Sequence, residues 1–254
     1  MTINKLVVKV LTVISSGVFL LIIAKSITGK PSFQKNLSTR RLQNSIESLR
    51  QEMNIPGASI AVIDNGEISW AKGFGIADAI TEREVTTSTL FTANSITKTL
   101  TSLAVVKLLA DKEIALDEPV NRYLTSWKIP KNQFTAKVPV TFRMLLNHTA
   151  ALTSPYPDGC CGPKEILPTV KQFLNGKPPA TNPPVTVNNV PGEKYAYCNG
   201  CYSVLQPAIE DVGDKPFKNL MNELVIQPAK MVNSTFDDTF FLEDSSTIAI
   251  PYDS

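Results

Sequence analysis

ANSITKTLTSLAVVKLLA, residues 93 to 110, places Ser95 and Lys98 three positions apart at the head of a run that is almost wholly apolar. The lysine is the anomaly. A helix start carries partial positive charge and unpaired N–H groups, so Asp, Glu or Gln suits its first turn, as in a capping box. Lys98 has the wrong sign for that task. Further on, Leu103, Ala104, Val105, Val106, Leu108 and Leu109 cover nearly every direction around a helix, the mark of one buried on all sides. The stretch therefore predicts a buried helix with a hydroxyl and an amine on one face of its first turn.

Ser-x-x-Lys alone is weak, since the chain also has Ser32/Lys35 and Ser69/Lys72. Ser32 falls in a polar segment near the amino terminus. Ser69 falls in a strand-like run, where an offset of three sends side chains to opposite faces. Only the pair at 95 and 98 shares a helical face. A serine hydroxyl is a poor nucleophile until another group takes its proton. A lysine can do so when neutral, a form favoured by burial and nearby positive charge. A backbone N–H at the helix start can hold a developing oxyanion. The competing reading makes Ser95 a helix cap and Lys98 a solvated first-turn residue.

At 254 residues, 43% hydrophobic and 19% charged, the chain has the composition of a globular protein with a substantial core. Its net charge of +2 comes from scattered Lys and Arg, which gives no reason to invoke nucleic acid. Half of the eighteen prolines crowd between Pro155 and Pro191 and predict a long irregular excursion there. At the amino terminus, Lys5 and Lys9 precede an uncharged apolar run from Val10 to Ala24, and Ala24-Lys25-Ser26 resembles a small-x-small cleavage site. Residues 1–26 thus read as an export signal, either cleaved or kept as an anchor over residues 6–24. Residues 27–37 read as a polar linker and 38–254 as the folded domain, lying outside the cytoplasm.

The four cysteines fall in two groups, Cys160-Cys161 and Cys198-x-x-Cys201. Outside the cytoplasm such a set reads as disulfides, with a zinc site or redox dithiol as the alternatives. Four cysteines allow three pairings and the sequence does not choose among them. A bridge between the adjacent Cys160 and Cys161 is strained, so bridges joining the two groups are the expectation.

Around the central stretch, Ser38 precedes a run in which Leu42, Ile46, Leu49 and Met53 recur at helical spacing, an amphipathic helix packed by one face. ASIAVI and EISWAKGFG are strand-like runs separated by Asp64-Asn65-Gly66, whose Asn-Gly pair suits a hairpin turn. LDEPVNRYL and VTFRMLLNHTAAL read as short helical pieces. Tyr202 to Glu210 reads as a helix despite Pro207, and FKNLMNELVI as another.

Two further segments carry chemistry. PGEKYAYCNGCYSVL, residues 191 to 205, contains the one Y-x-N, Tyr197-Cys198-Asn199; VTFRMLLNHTAAL, residues 140 to 152, contains the one histidine, His148. Together with GFGIAD, KEIALDEPVNRYL and IQPAKM before STF, these segments resemble the penicillin-recognising serine hydrolases. That β-lactamase-related family includes class C β-lactamases, DD-peptidases and many esterases. The likeness runs from about residue 39 onward. It implies an α+β, β-lactamase/transpeptidase-like fold and an exported hydrolase acting through an acyl-enzyme on an ester, peptide or β-lactam. By the same resemblance Ser95 is the acylated nucleophile and Lys98 its proton-accepting partner. Tyr197 is the general base and acid of turnover, its phenol kept acidic by the lysine, and Asn199 orients the substrate. The cysteine groups come near one cleft. His148 is implied to be a hydrogen-bonded structural residue of the core. No cofactor or metal is called for. The partner expected is a small-molecule or peptide substrate, with the membrane touched only through the amino-terminal segment.

The likeness has gaps. The family's third element is a strand carrying K-T-G or H-x-G, and this chain has no glycine after Gly213 and no histidine after His148. The expectation is a C-terminally incomplete sheet, whose hairpin over residues 59–75 shows an unpaired apolar edge. Losing one oxyanion donor typically costs about 10²- to 10³-fold in rate. The alternative reading is accordingly a non-catalytic relative that binds a cell-wall peptide or partner. Cys198 stands where the family usually has serine, Cys201 where it has glycine, and Ala150-Ala151 where it has Ser-Gly.

Overall fold

A computed structural model describes residues 23–24, 32–155, 168–237 and 245–250. The domain expected over residues 38–254 divides into two compact units, residues 1–93 with 243–254, and residues 94–242.

The first unit is built on a hairpin. β2 (Gly57–Asp64) and β3 (Glu67–Asp78) pair antiparallel from Gly57 opposite Gly75 to Asp64 opposite Glu67. Asn65 and Gly66 turn the chain with φ of 53° and 81°, the left-handed pair that matches the twist of the strands. Gly73 is required: a Cβ there would run into the backbone of Val85. Two-residue strands flank the hairpin, β1 (Ile23–Ala24) parallel to Val62 and Ile63 of β2, and β4 (Arg83–Glu84) antiparallel to the end of β3. The edge expected to be bare is therefore partnered over short stretches, while Ile63 and Ile68 stay exposed. Among the described residues, Ala58, Ile60, Phe74, Ala77, Val85 and Ile248 form the buried side chains of this unit.

Helix α1 (Ser32–Glu52) begins before Ser38, so residues 32–37 are helical where a linker was expected, and the Ser32/Lys35 pair also has helical spacing, against the expectation that only 95 and 98 would. Its apolar face packs less completely than its periodicity predicts. Leu42 and Ile46 are half-buried, but Leu49 and Met53 are exposed. Arg50 secures the end of the helix instead, donating to the carbonyls of Ile55 and Pro56 and forking onto Glu47. The rest of the expected export segment, residues 1–22 and 25–26, lies outside the described residues. Among the described residues no helix is long and apolar enough to cross a membrane.

The second unit is helical and centred on α5 (Asn199–Gly213), which packs against α2 (Thr97–Asp111), α3 (Phe142–Leu146), α4 (Val170–Asn175) and α6 (Phe217–Met221). Val204, Leu205, Ala208 and Ile209 of α5 meet Val105, Leu108 and Leu109 of α2, Phe142 and Leu145 of α3, and Phe173 and Leu174 of α4 in one buried cluster. The helix continues through Pro207, which is itself buried. The described part of the proline-rich excursion, from residue 168 on, is less irregular than expected. It holds α4, started by a capping box between Thr169 and Gln172 and stopped by Gly176 at φ 58°, and a β-bridge from Leu152 to Val187.

Helix α2 departs from its expectation. Thr101, Ala104, Val105, Leu108 and Leu109 are buried, yet Leu103 is 56% and Val106 46% exposed. Helices α5 and α6 cover one side of α2, so its other apolar side faces solvent among the described residues.

Candidate active site

Ser95 stands in a 3₁₀ turn (Asn94–Ile96) that feeds directly into α2. It does not cap the helix. Ile96 occupies the N-cap position and makes no side-chain cap hydrogen bond, while the hydroxyl of Ser95 turns to other partners. Lys98, one helical turn along, donates from Nζ to Ser95 Oγ at 3.1 Å. Tyr197 donates from Oη to the same oxygen at 2.8 Å. An amine and a phenol from segments 102 residues apart thus converge on one hydroxyl. That is the arrangement nucleophilic catalysis requires, a hydroxyl within reach of proton acceptors.

The three groups line an open cavity of about 540 Å³ with Thr99, Ser102, Leu103, His148 and Tyr202. Lys98 Nζ lies 5.1 Å from the ring centre of Tyr197 and 5.7 Å from that of Tyr202. Burial alone would raise the phenol pKa of Tyr197, but its hydrogen bonding with Lys98 and Ser95 and the lysine charge outweigh it and hold it below the usual tyrosine value. Anionic tyrosine beside an ammonium is favoured for the ordinary electrostatic reason.

Tyr197 is placed by its neighbours. Cys198 is the N-cap of α5; its backbone N–H donates to His148 Nδ1 at 3.1 Å, and its sulfur accepts from the Cys201 N–H. Asn199 opens the helix, and its N–H donates to Ser154 Oγ at 2.8 Å. The side chain of Asn199 is not among those lining the cavity.

A disulfide joins Cys198 to Cys201, with Cα atoms 5.3 Å apart, so the expected bridge between the two cysteine groups is replaced by one within the second group. The reason is local: three residues on, the first turn of α5 brings the second cysteine back beside the first. Cys160 and Cys161 lie outside the described residues. Among the described residues no cluster of His, Cys, Asp and Glu is arranged to hold a metal.

His148 corrects a second expectation. It is half-buried and lines the cavity, so it is not a core residue. Burial and the Lys98 charge together hold its imidazole below the usual histidine value. Ser102 and Tyr202 are site residues that motif reading passes over. Ser102 follows Lys98 by one turn on the same face, donates to the Lys98 carbonyl at 2.7 Å and pairs with Tyr202 Oη at 2.8 Å. Spacing from Lys98 was the available signal.

A family model described as Beta-lactamase matches residues 42–242, well over half of the chain. The chain belongs to this family. Protein flp of Staphylococcus aureus (strain MW2) is 26% identical over 206 residues, which cover 80% of this chain and 39% of that protein. Esterase EstB of Burkholderia gladioli is 36% identical over 112 residues, 44% of this chain and 28% of EstB. The solved structure of the octameric penicillin-binding protein homologue from Pyrococcus abyssi matches with a TM-score of 0.68 and 26% identity, covering 83% of this chain and 47% of that one. The fold is thus the mixed α and β, β-lactamase/transpeptidase-like fold that the sequence motifs imply, and the chain spans under half the length of each of these proteins.

Proposed function

We propose that the chain is an exported serine hydrolase that forms an acyl-enzyme at Ser95 from an ester, peptide or β-lactam. One observation carries the reading: Lys98 Nζ and Tyr197 Oη both lie within hydrogen-bond distance of Ser95 Oγ. Ser95 Oγ attacks the substrate carbonyl carbon, and its proton passes to the Lys98 and Tyr197 pair, which accepts it when one proton short of full protonation. The same proton goes to the leaving group as the tetrahedral intermediate collapses. Water then attacks the acyl-serine, the pair again takes a proton, and Ser95 recovers it as the acid departs. Family membership and the presence of an esterase and a penicillin-binding protein homologue among the similar proteins support hydrolysis of this general kind. Export rests on Lys5, Lys9 and the apolar run that follows them.

A second reading is a relative that binds a cell-wall peptide without turning it over. A labelled fluorophosphonate separates the two. Labelling followed by peptide mapping is expected to mark Ser95, to persist in Ser32→Ala and Ser69→Ala, and to vanish in Ser95→Ala. A label retained in Ser95→Ala removes the assignment, and an unlabelled wild-type chain favours the binding protein.

A further inference from the structure

The backbone around Tyr197 is held by a single residue from another segment. Ala196 donates its N–H to the carbonyl of His148 at 2.9 Å, and Cys198 donates its N–H to Nδ1 of the same residue at 3.1 Å. Between these two anchors, the ring of Tyr197 lies 4.7 Å from the imidazole, centre to centre, with the planes tilted by 35°. His148 itself has a φ of 62°, in the left-handed region that few residues other than glycine adopt and in which Asn, Asp and His are enriched. Backbone strain of this kind persists where surrounding structure imposes it, and it clusters at functional sites.

We propose that His148 is the positioning residue for Tyr197, holding both of its chain neighbours and its ring, and that it does so only while Nδ1 is free to accept a hydrogen bond. The proposal deepens the hydrolase reading and rests on Tyr197 having the proton-transfer role given above. When Nδ1 accepts from Cys198, the ring proton sits on Nε2. Protonation would put a second N–H at Nδ1, facing the Cys198 N–H donor to donor, and would add a positive charge near Lys98. The titratable groups around the ring are Lys98 of α2, Tyr202 of α5, and Tyr195 and Tyr197 of the preceding loop; the rings of Tyr195 and Tyr202 lie 5.9 and 5.3 Å away. The imidazole is therefore kept neutral by its surroundings, in keeping with its lowered pKa. Acid is the condition that opens the cradle and frees Tyr197.

Two substitutions separate positioning from space-filling. Asn tolerates the left-handed backbone and sets Oδ1 near the place of Nδ1, as an acceptor that does not titrate. Gln is closer to histidine in length but carries its oxygen too far out. The rate of Ser95 labelling by the fluorophosphonate, measured against pH, is expected to fall in acid for the wild type. His148→Asn keeps the greater part of the neutral rate and loses only the extra acid fall that protonation of His148 adds to the slope set by the Lys98 and Tyr197 pair. His148→Gln is roughly tenfold or more slower at every pH, since small misplacements of a reacting group carry large rate penalties. Because the chain has one histidine, its ring nitrogen resonances are unique, and they should show the Nε2–H tautomer titrating below about 6.5. Equal rates in the Asn and Gln variants, or a ring proton on Nδ1, would overturn the proposal. A label that survives Ser95→Ala overturns the hydrolase reading instead, while the nitrogen resonances, which need no turnover, still decide the cradle.

Discussion

Ser69/Lys72 and Ser95/Lys98 are the same four-residue pattern in two regions of one chain, and their surroundings make them unlike. On β3, Ser69 and Lys72 point to opposite faces of the strand, and the Lys72 ammonium lies 5.1 Å over the ring of Phe74, two residues on. At the head of α2 the same offset puts Lys98 beside Ser95, where Tyr197 meets them. Spacing acquires chemical meaning only from the period of the element that carries it. The sharpest way to break this contrast is to remove each amine. Lys98→Met is expected to slow Ser95 labelling about 10²- to 10⁴-fold, the usual worth of a positioned proton-transfer group. Lys72→Met should leave it unchanged. Similar losses in both variants would mean that general charge, and not the helical geometry, governs the serine.

A smaller effect separates the two faces of α2 itself. Leu109 is 1% exposed within the helical cluster, whereas Leu103 is 56% exposed at the cavity. Leu109→Ala should therefore cost about 2–5 kcal/mol in urea unfolding, through lost burial and an unfilled cavity. Leu103→Ala should stay within about 0.5 kcal/mol. If the two losses were equal, the solvent-facing side of α2 would be covered in solution.

These contrasts show what could be read in advance. The hairpin was legible because Asn65-Gly66 supplies the left-handed turn that its flanking runs need, and Ser95 with Lys98 because a lysine is out of place at a helix start, whereas Tyr197 was reached only through the resemblance of its motif to the family's. Helix α4 carries its own start and stop in Thr169, Gln172 and Gly176, but these are submerged in a stretch whose prolines signal irregular chain. The exposed face of α2 was not legible, because an apolar residue records a preference for burial and not the presence of a neighbour. The disulfide was misplaced for a similar reason: cysteine grouping says nothing of whether a helical turn brings residues three apart together. His148 was hardest. Its task depends on the N–H groups of residues 196 and 198, which no side-chain motif displays. Ala151 carries a related trace, since its φ of 52° explains why glycine is usual at that place in the family.

The smallest expected effect tests the electrostatic half of the contrast. Burial by itself would raise the Tyr197 pKa, and the Lys98 and Ser95 hydrogen bonds and the Lys98 charge bring it below 10.0 in the folded chain. Between that lowered value and the unfolded value near 10, the unfolded chain binds the extra proton, so stability should rise with pH across this window. The contribution is present above the unfolded value and is lost as pH falls through the folded one. Lys98→Met removes two of the three lowering influences, so the window should narrow or close and the phenol should titrate at higher pH. The check is the tyrosinate absorbance of the folded chain, taken as the difference from Tyr197→Phe so that the other five of its six tyrosines cancel. The rate of Ser95 labelling should climb with pH along the same curve, and in Lys98→Met what rate persists should climb later. Lys72→Met serves as the control, with an unshifted curve. A Tyr197 titration that ignores Lys98 would separate the phenol from the amine and leave Ser95 with two independent partners in place of a coupled pair.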